Sequence, residues 1–316
     1  MIHKPVLKNE VLAALDPKPG EFFIDGTLGA GGHAELICER IGKTGRLLAV
    51  DADQKAIENF ASNVKCQMSN VVSVNSNFVR LPDILKEKNL GLADGLLLDL
   101  GLSSDELAAS GRGFSFQVNE PLLMTLDAAA TPVMAILRTH SEEQLAGIIK
   151  KYGEERYAGR IAGEIKNTLR RQPIETTFDL RDAVLRAVPV QYTHGRIHAA
   201  TRTFMAFRIY ANHEYENLES ILRNLPDIVR DGGRVAVITF HSGEDRIAKN
   251  VLRDLAKSGT LTLINKKVIV PAREEILANP RSRSAKLRAA VIGVKQSGAS
   301  GDALAIRPAS ILYSRY

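Results

Sequence analysis

Four short apolar runs within the first 100 residues, each followed by a turn and a helical pattern, constrain this chain more than anything else in it. Residues 22–25, 46–51, 71–74 and 94–99 read as strands, and 33–41, 54–63 and about 80–88 as the helices between them. Runs this apolar are strands buried on both faces. Their alternation with helices makes the sheet parallel and doubly covered, an α/β architecture.

The rhythm then stops. The next comparable strand, 234–240, follows Gly232-Gly233 after about 130 residues, where a βα unit needs roughly 30. Helical periodicity over 141–151, 155–171, 178–187 and a long stretch near 200–230 fills the gap. The expected organisation is therefore one α/β domain, 1–104 with 213–316, interrupted by a helical insertion, 105–212, between strands four and five. A helix over 243–257 follows. The apolar runs 261–270 and 287–294 suit a closing antiparallel pair, with Pro280-Arg281-Ser282-Arg283-Ser284 as a basic loop between them.

The segment Asp25-Gly26-Thr27-Leu28-Gly29-Ala30-Gly31-Gly32-His33 joins the first strand to the first helix of the alternation. Glycines there admit a close ligand, and the helix N-terminus offers free N–H groups. Gly29, Gly31 and Ala34 also fit the dinucleotide pattern, with Asp51 placed to accept ribose hydroxyls from either a nicotinamide cofactor or S-adenosylmethionine. Asp25, just ahead of the glycines, repels a pyrophosphate but suits a cationic amino-acid moiety. Asp99 adds a second carboxylate at the end of strand four. This acidic rim favours the methyl donor over a hydride carrier.

Net charge is +6 and unevenly spread: residues 1–155 carry −6, 156–211 carry +6 and 266–316 carry +7. Two local basic excesses fit either a nucleic-acid face or an arginine-rich solvated surface. The two cysteines, Cys38 and Cys66, show neither CxxC spacing nor a histidine cluster, so no zinc site or disulfide framework is expected, and no tightly held transition metal. Mg²⁺ at an RNA interface stays open. The N-terminal residues lack the apolar core of a signal peptide, and no apolar run approaches ~18 residues. The expectation is a cytoplasmic protein without a membrane segment, its oligomeric state open between monomer and homodimer.

Several segments, in order, resemble the RsmH (MraW) family of 16S rRNA (cytosine(1402)-N4)-methyltransferases. They are His3-Lys4-Pro5-Val6-Leu7, the glycine turn, Asp99-Leu100-Gly101-Leu102-Ser103-Ser104, Arg112-Gly113-Phe114-Ser115-Phe116, Tyr152-Gly153-Glu154-Glu155-Arg156, Ala200-Thr201-Arg202-Thr203-Phe204, Phe240-His241-Ser242, Glu244-Asp245-Arg246 and Asn279–Ser284. The resemblance implies a class I, Rossmann-like S-adenosylmethionine-dependent methyltransferase. Its helical insertion would recognise substrate, and its partner would be 16S rRNA within the 30S subunit. By motif position the cofactor is expected on Gly31, Gly32, His33, Asp51, Phe78, Asp99 and Glu106, in addition to Asp25, which its charge and place ahead of the glycines suggest. Glu106 stands where the family usually has Gln, and Leu123, Thr125, Ala199 and Met205 also depart from its pattern.

The N4 amine of cytosine is a poor nucleophile because its lone pair is delocalised into the ring. An acceptor on its N–H localises that pair as the methyl arrives. Asp99, Ser103 and Ser104 are the candidates. Two tasks fit His241: taking the released proton, or capping the helix that follows. For RNA phosphates the candidates are Arg196, Arg281, Arg283, Lys286 and Arg288, while Arg202 and Arg208, mid-helix, suit internal ion pairs. Readings left open are methylation of another RNA or DNA base, an RNA-binding assembly factor without turnover, and a nicotinamide oxidoreductase.

Overall fold

The computed structural model describes residues 5–63, 70–100, 111–127, 130–193 and 197–293. The chain divides into two compact units, Met1–Gly101 with Asn217–Tyr316, and Leu102–Glu216.

The first unit is built on a seven-stranded sheet. Its elements run α1 (Lys8–Leu15), β1 (Phe22–Asp25), α2 (Gly32–Ile41), β2 (Arg46–Asp51), α3 (Gln54–Asn63), β3 (Val71–Asn75), α4 (Leu81–Glu87) and β4 (Ala93–Asp99). The helices of the second unit are α5 (Val133–Thr139), α6 (Glu142–Gly153), α7 (Ala158–Leu169), α8 (Thr177–Ala187), α9 (Val190–Thr193) and α10 (Thr201–Ala211). After α11 (Glu214–Arg223) come β5 (Val229–Thr239), α12 (Ser242–Lys257), β6 (Leu261–Leu263), α13 (Arg273–Ala278) and β7 (Lys286–Ile292). The sheet order is β3-β2-β1-β4-β5-β7-β6. The first five strands are parallel, and β7 runs antiparallel to both its neighbours.

Period-two alternation sorts the strand side chains onto two faces. Phe22, Ile24, Leu48, Val50, Leu96, Leu98, Val235 and Val237 belong to one apolar core, which also takes in residues of α4, α11 and α12. Phe23, Leu47, Ala49, Leu97, Ala236 and Ile238 belong to the other, with α1, α2 and α3. Burial on both faces explains why the central strands are continuously apolar. Parallel strands also bring the carboxyl ends of β1, β2 and β4 to one edge, where Asp25, Asp51 and Asp99 stand.

The second unit has its own core, centred on Ile149, Ile161, Ile165, Leu180, Val184 and Phe207. Helices α6 and α8 open with full capping boxes, from Ser141 with Gln144 and from Thr176 with Asp179.

Three expectations differ from the structure. The long helix near 200–230 is two helices, broken at Asn212 and at His213, whose φ is +52°. The Asn212 side chain accepts from Leu126 N and donates to Met124 O and Arg208 O, drawing the backbone out of the helix. The run 261–270 is a strand only at Leu261–Leu263. Beyond it Asn265 bonds sideways to Lys267 O and Ala289 N, and pairing resumes only as an isolated bridge at Ile269. Residues 280–284 form a helical turn rather than an open loop. Among the described residues no helix is long and apolar enough to cross a membrane.

Candidate cofactor and active site

The glycine turn is threaded across the strand ends by backbone bonds. Gly26 N donates to Leu97 O at 2.9 Å and Leu28 N to Val50 O at 3.0 Å, fastening the turn to β4 on one side and β2 on the other. Gly31 then takes φ +79°, and a Cβ there would lie 2.6 Å from Cδ2 of Phe60. Both the dihedral and the space demand glycine. Helix α2 begins at the next residue with no side-chain cap on its N-terminus. Its first N–H groups therefore keep their capacity for an anionic group, assisted by the helix dipole.

The three acids do different work. Asp51 accepts from Gly29 N at 2.8 Å through Oδ2 and from Asp53 N at 2.7 Å through Oδ1. Both oxygens of this carboxylate thus shape the turn from the end of β2. Asp25 is only 1% exposed. Burial pushes its pKa up to about 7, with the Asp51 charge adding to the rise and a hydrogen bond from Thr27 N opposing it. Asp99 sits at the end of β4, its carboxylate Oδ2 3.7 Å from Nε2 of the buried His33.

Thr27, a residue that sequence reasoning did not single out, ties these groups together. Its Oγ1 accepts from Asp99 N at 2.6 Å, so the turn holds the β4 end directly. Nothing periodic marks Thr27 in the sequence; its only signal is a hydroxyl inside a glycine turn that must close on its neighbour strand.

Beyond β3 the chain is held toward the same edge. Ser76 N and Asn75 Nδ2 both donate to Asp51 O, at 2.9 and 3.0 Å. Asn77 Oδ1 accepts from Val79 N and starts the helical turn that carries Phe78. The Phe78 ring is half-buried against the sheet core, beside this edge.

His241 is placed for its structural task. Its ring accepts from Glu244 N at 3.4 Å, and Nε2 lies 2.8 Å from Glu244 Oε1. Glu244, 3% exposed, in turn accepts from Phe240 N and His241 N. The pair is a capping box on α12. This geometry serves the helix start, the capping task among the two expected of His241.

Ser103, Ser104, Glu106 and Arg196 lie outside the described residues. Arg281 and Arg283 are exposed on their helical turn, which is anchored by the buried Ser282 hydroxyl donating to Asn279 O at 2.8 Å. Lys286 and Arg288 are a correction: they are β7 residues facing α12. Arg288 Nε donates to Asp245 Oδ1 at 2.8 Å, and Lys286 Nζ lies 3.4 Å from Oδ2. Burial acts to raise the Asp245 pKa, but the Arg288 hydrogen bond and both positive charges hold it below the usual carboxylate value. Both cations are paired with Asp245, Arg288 largely covered and Lys286 about one third exposed (34%). Arg208 likewise makes a two-pronged pair with Glu214, as its mid-helix position suggested.

A ligand with a carboxylate, an ammonium group and a ribose meets a matching donor and acceptor set here: an open helix N-terminus, two carboxylates and Asp51. Carried on this sheet order, that set defines a class I S-adenosylmethionine-dependent methyltransferase. The MraW methylase family model matches residues 1–292, and the chain belongs to that family. It is 41% identical over 304 residues to the ribosomal RNA small subunit methyltransferase H of Trichlorobacter lovleyi, covering 91% of this chain and 97% of that one. Against the protein of the same name from Dehalococcoides mccartyi identity is 43%, covering 91% and 86%. Among solved structures, an rRNA methylase from Streptococcus thermophilus aligns with a TM-score of 0.43 and 9% identity, covering 93% of this chain and 99% of that one.

Proposed function

We propose that this protein methylates the N4 amine of cytidine 1402 in 16S rRNA, within the small ribosomal subunit. Family membership and the shared name of the relatives at about 40% identity support the rRNA target. The observation that carries the amine chemistry is the placement of Asp99: a carboxylate at the end of a central strand, its backbone locked by Thr27.

S-adenosylmethionine, when bound, supplies a methyl group made electrophilic by its sulfonium. The chain's own residues do the rest. The N–H groups opening α2 would hold its carboxylate, Asp25 would balance its ammonium group, Asp51 would accept from its ribose hydroxyls and Phe78 would pack on its adenine. Asp99, with the Ser103 and Ser104 hydroxyls that follow it in sequence, accepts from the N4 N–H and returns lone-pair density to the nitrogen. The target base must be unpaired to reach these groups, which the exposed Arg281 and Arg283 assist by gripping phosphates.

The test is methyl transfer to small-subunit particles from cells lacking the gene, with the modified nucleotide mapped and identified. N4-methylcytidine at position 1402 is the expected product. Methylation at another nucleotide, or at a carbon or ribose oxygen, overturns the reading. Asp99→Asn with undiminished turnover removes the role given to its charge.

A further inference from the structure

The segment Tyr152–Arg156 belongs to the helical unit. Its geometry is unusually specific. Gly153, at the end of α6, lets α10 cross at backbone contact: a Cβ there would lie 2.5 Å from Arg202 O. Glu154 leaves the helix with φ +50°, and its carbonyl accepts from Arg202 Nη1 at 3.1 Å. Glu155 turns inward and is 1% exposed. One of its carboxylate oxygens accepts from Tyr157 N at 2.9 Å, the other from the Tyr192 hydroxyl at 2.7 Å.

The consequence appears at the surface above Glu155. The Tyr157 and Tyr192 rings meet edge to face, centroids 4.9 Å apart and planes at 73°. The Arg156 guanidinium lies 4.7 Å from both centroids, and that of Arg160 lies 5.8 Å from Tyr157. Both arginines are exposed, and neither forms an ion pair with a carboxylate among the described residues. Elsewhere in this unit Arg138, Arg181, Arg186 and Arg208 are each neutralised by an acid. Burying a carboxylate is costly unless it is fully hydrogen-bonded. Here one is buried to fix the attitude of a half-buried tyrosine, which is preorganisation of a surface.

Aromatic faces and guanidinium planes next to uncompensated positive charge are the means by which unpaired nucleotides are held: bases stack and phosphates are attracted. We propose that Arg156, Tyr157, Arg160 and Tyr192 form a stacking seat for an unpaired nucleotide of the RNA substrate. The proposal rests on the RNA reading given above. An acidic protein segment would use the arginine charges but not the rings, which the test separates.

The full chain is titrated with a short single-stranded RNA oligonucleotide and with one of equal length whose central positions are abasic. The wild type is expected to bind the base-bearing oligonucleotide roughly tenfold more tightly. Tyr157→Leu and Arg156→Ala erase that preference, and Tyr157→Phe keeps it. Removing Arg156 and Arg160 together lowers the slope of log affinity against log salt by roughly 0.7 for each phosphate no longer neutralised. Should Tyr157→Leu fail to fold, the exposed Arg156→Ala carries the same reading. Equal binding of the two oligonucleotides by the wild type overturns the seat. So does an unchanged preference in Arg156→Ala and Tyr157→Leu, or a weakening in the arginine variants that is the same for both oligonucleotides. Methyl transfer to small-subunit particles is measured alongside. Transfer without base preference removes the seat alone; base preference without transfer removes the enzymatic reading alone.

Discussion

The backbone N–H of Asp99 donates to Oγ1 of Thr27 at 2.6 Å, across 72 residues of sequence. This bond joins the turn that would hold a cofactor to the strand end that would meet a substrate amine. Thr27→Val keeps the shape and removes the acceptor, leaving a half-buried N–H unsatisfied at a cost of about 1–3 kcal/mol. Denaturant unfolding should show that loss, and kcat/KM should fall with it. Thr27→Ser restores both. A valine variant with wild-type kcat/KM would sever the proposed link.

Asp25 makes stability depend on pH in a definite direction. Its folded-state pKa is about 7 against 3.8 for the free side chain. Between those values the folded protein holds a proton that the unfolded chain has released, so stability from this group is full below about pH 4 and is lost as pH rises to about 7. The loss is on the order of 4 kcal/mol for the cofactor-free protein. Asp25→Asn cannot ionise and should lack this fall, measured by urea unfolding at several pH values. An ammonium group placed beside Asp25 lowers its pKa, so S-adenosylhomocysteine should bind the wild type more tightly as pH rises through 7, with proton release on binding. In Asp25→Asn that dependence flattens.

His241→Ala removes the side-chain cap of α12 and should cost about 1 kcal/mol. His241→Asn, a better capping residue, recovers the stability. The pH–rate profile decides its chemistry: if His241 only caps, the asparagine variant keeps the wild-type acidic limb. A limb lost with His241 in a stable variant returns it to the active site as a base.

The cations of the C-terminal segment divide by environment. Neutralising Arg281 and Arg283, exposed on their turn, should weaken RNA binding and reduce its salt dependence. Arg288→Gln should leave the salt slope unchanged and lower stability instead, because it takes from the partly buried Asp245 the nearer of its two cations and leaves only Lys286. Measuring both quantities on both variants separates grip from framework.

How much of this was legible follows the range over which each signal acts. Strand ends are local: an apolar run stopped by Asp and Gly marks Asp25, Asp51 and Asp99 without knowledge of neighbours. The glycine at position 31 is legible for the same reason, because positive φ is a property of one residue. Lys286 and Arg288 read as a basic surface because their partner, Asp245, stands more than 40 residues away on a helix. Thr27 was invisible because one hydroxyl has no period and its meaning comes only from the strand beside it. The break at Asn212 was hidden by helical periodicity on both sides, although Asn is a residue that competes with helical backbone for hydrogen bonds. Glu155 looked like one acid among several, and only its burial reveals the surface it braces.

Strands β4 and β5 are partners along most of their length, yet residue 99 ends one and residue 229 begins the other. At a synthesis rate of 5–20 residues per second, β4 leaves the translating ribosome roughly 7 to 26 s before its partner exists. Through that interval the half-built sheet shows an open hydrogen-bonding edge of Leu96, Leu97 and Leu98, a hazard for misassociation. The helical unit, made of contiguous chain, is complete before β5 arrives. The order of biosynthesis thus asks the interruption to fold first and the interrupted domain to wait, exposed, for its second half.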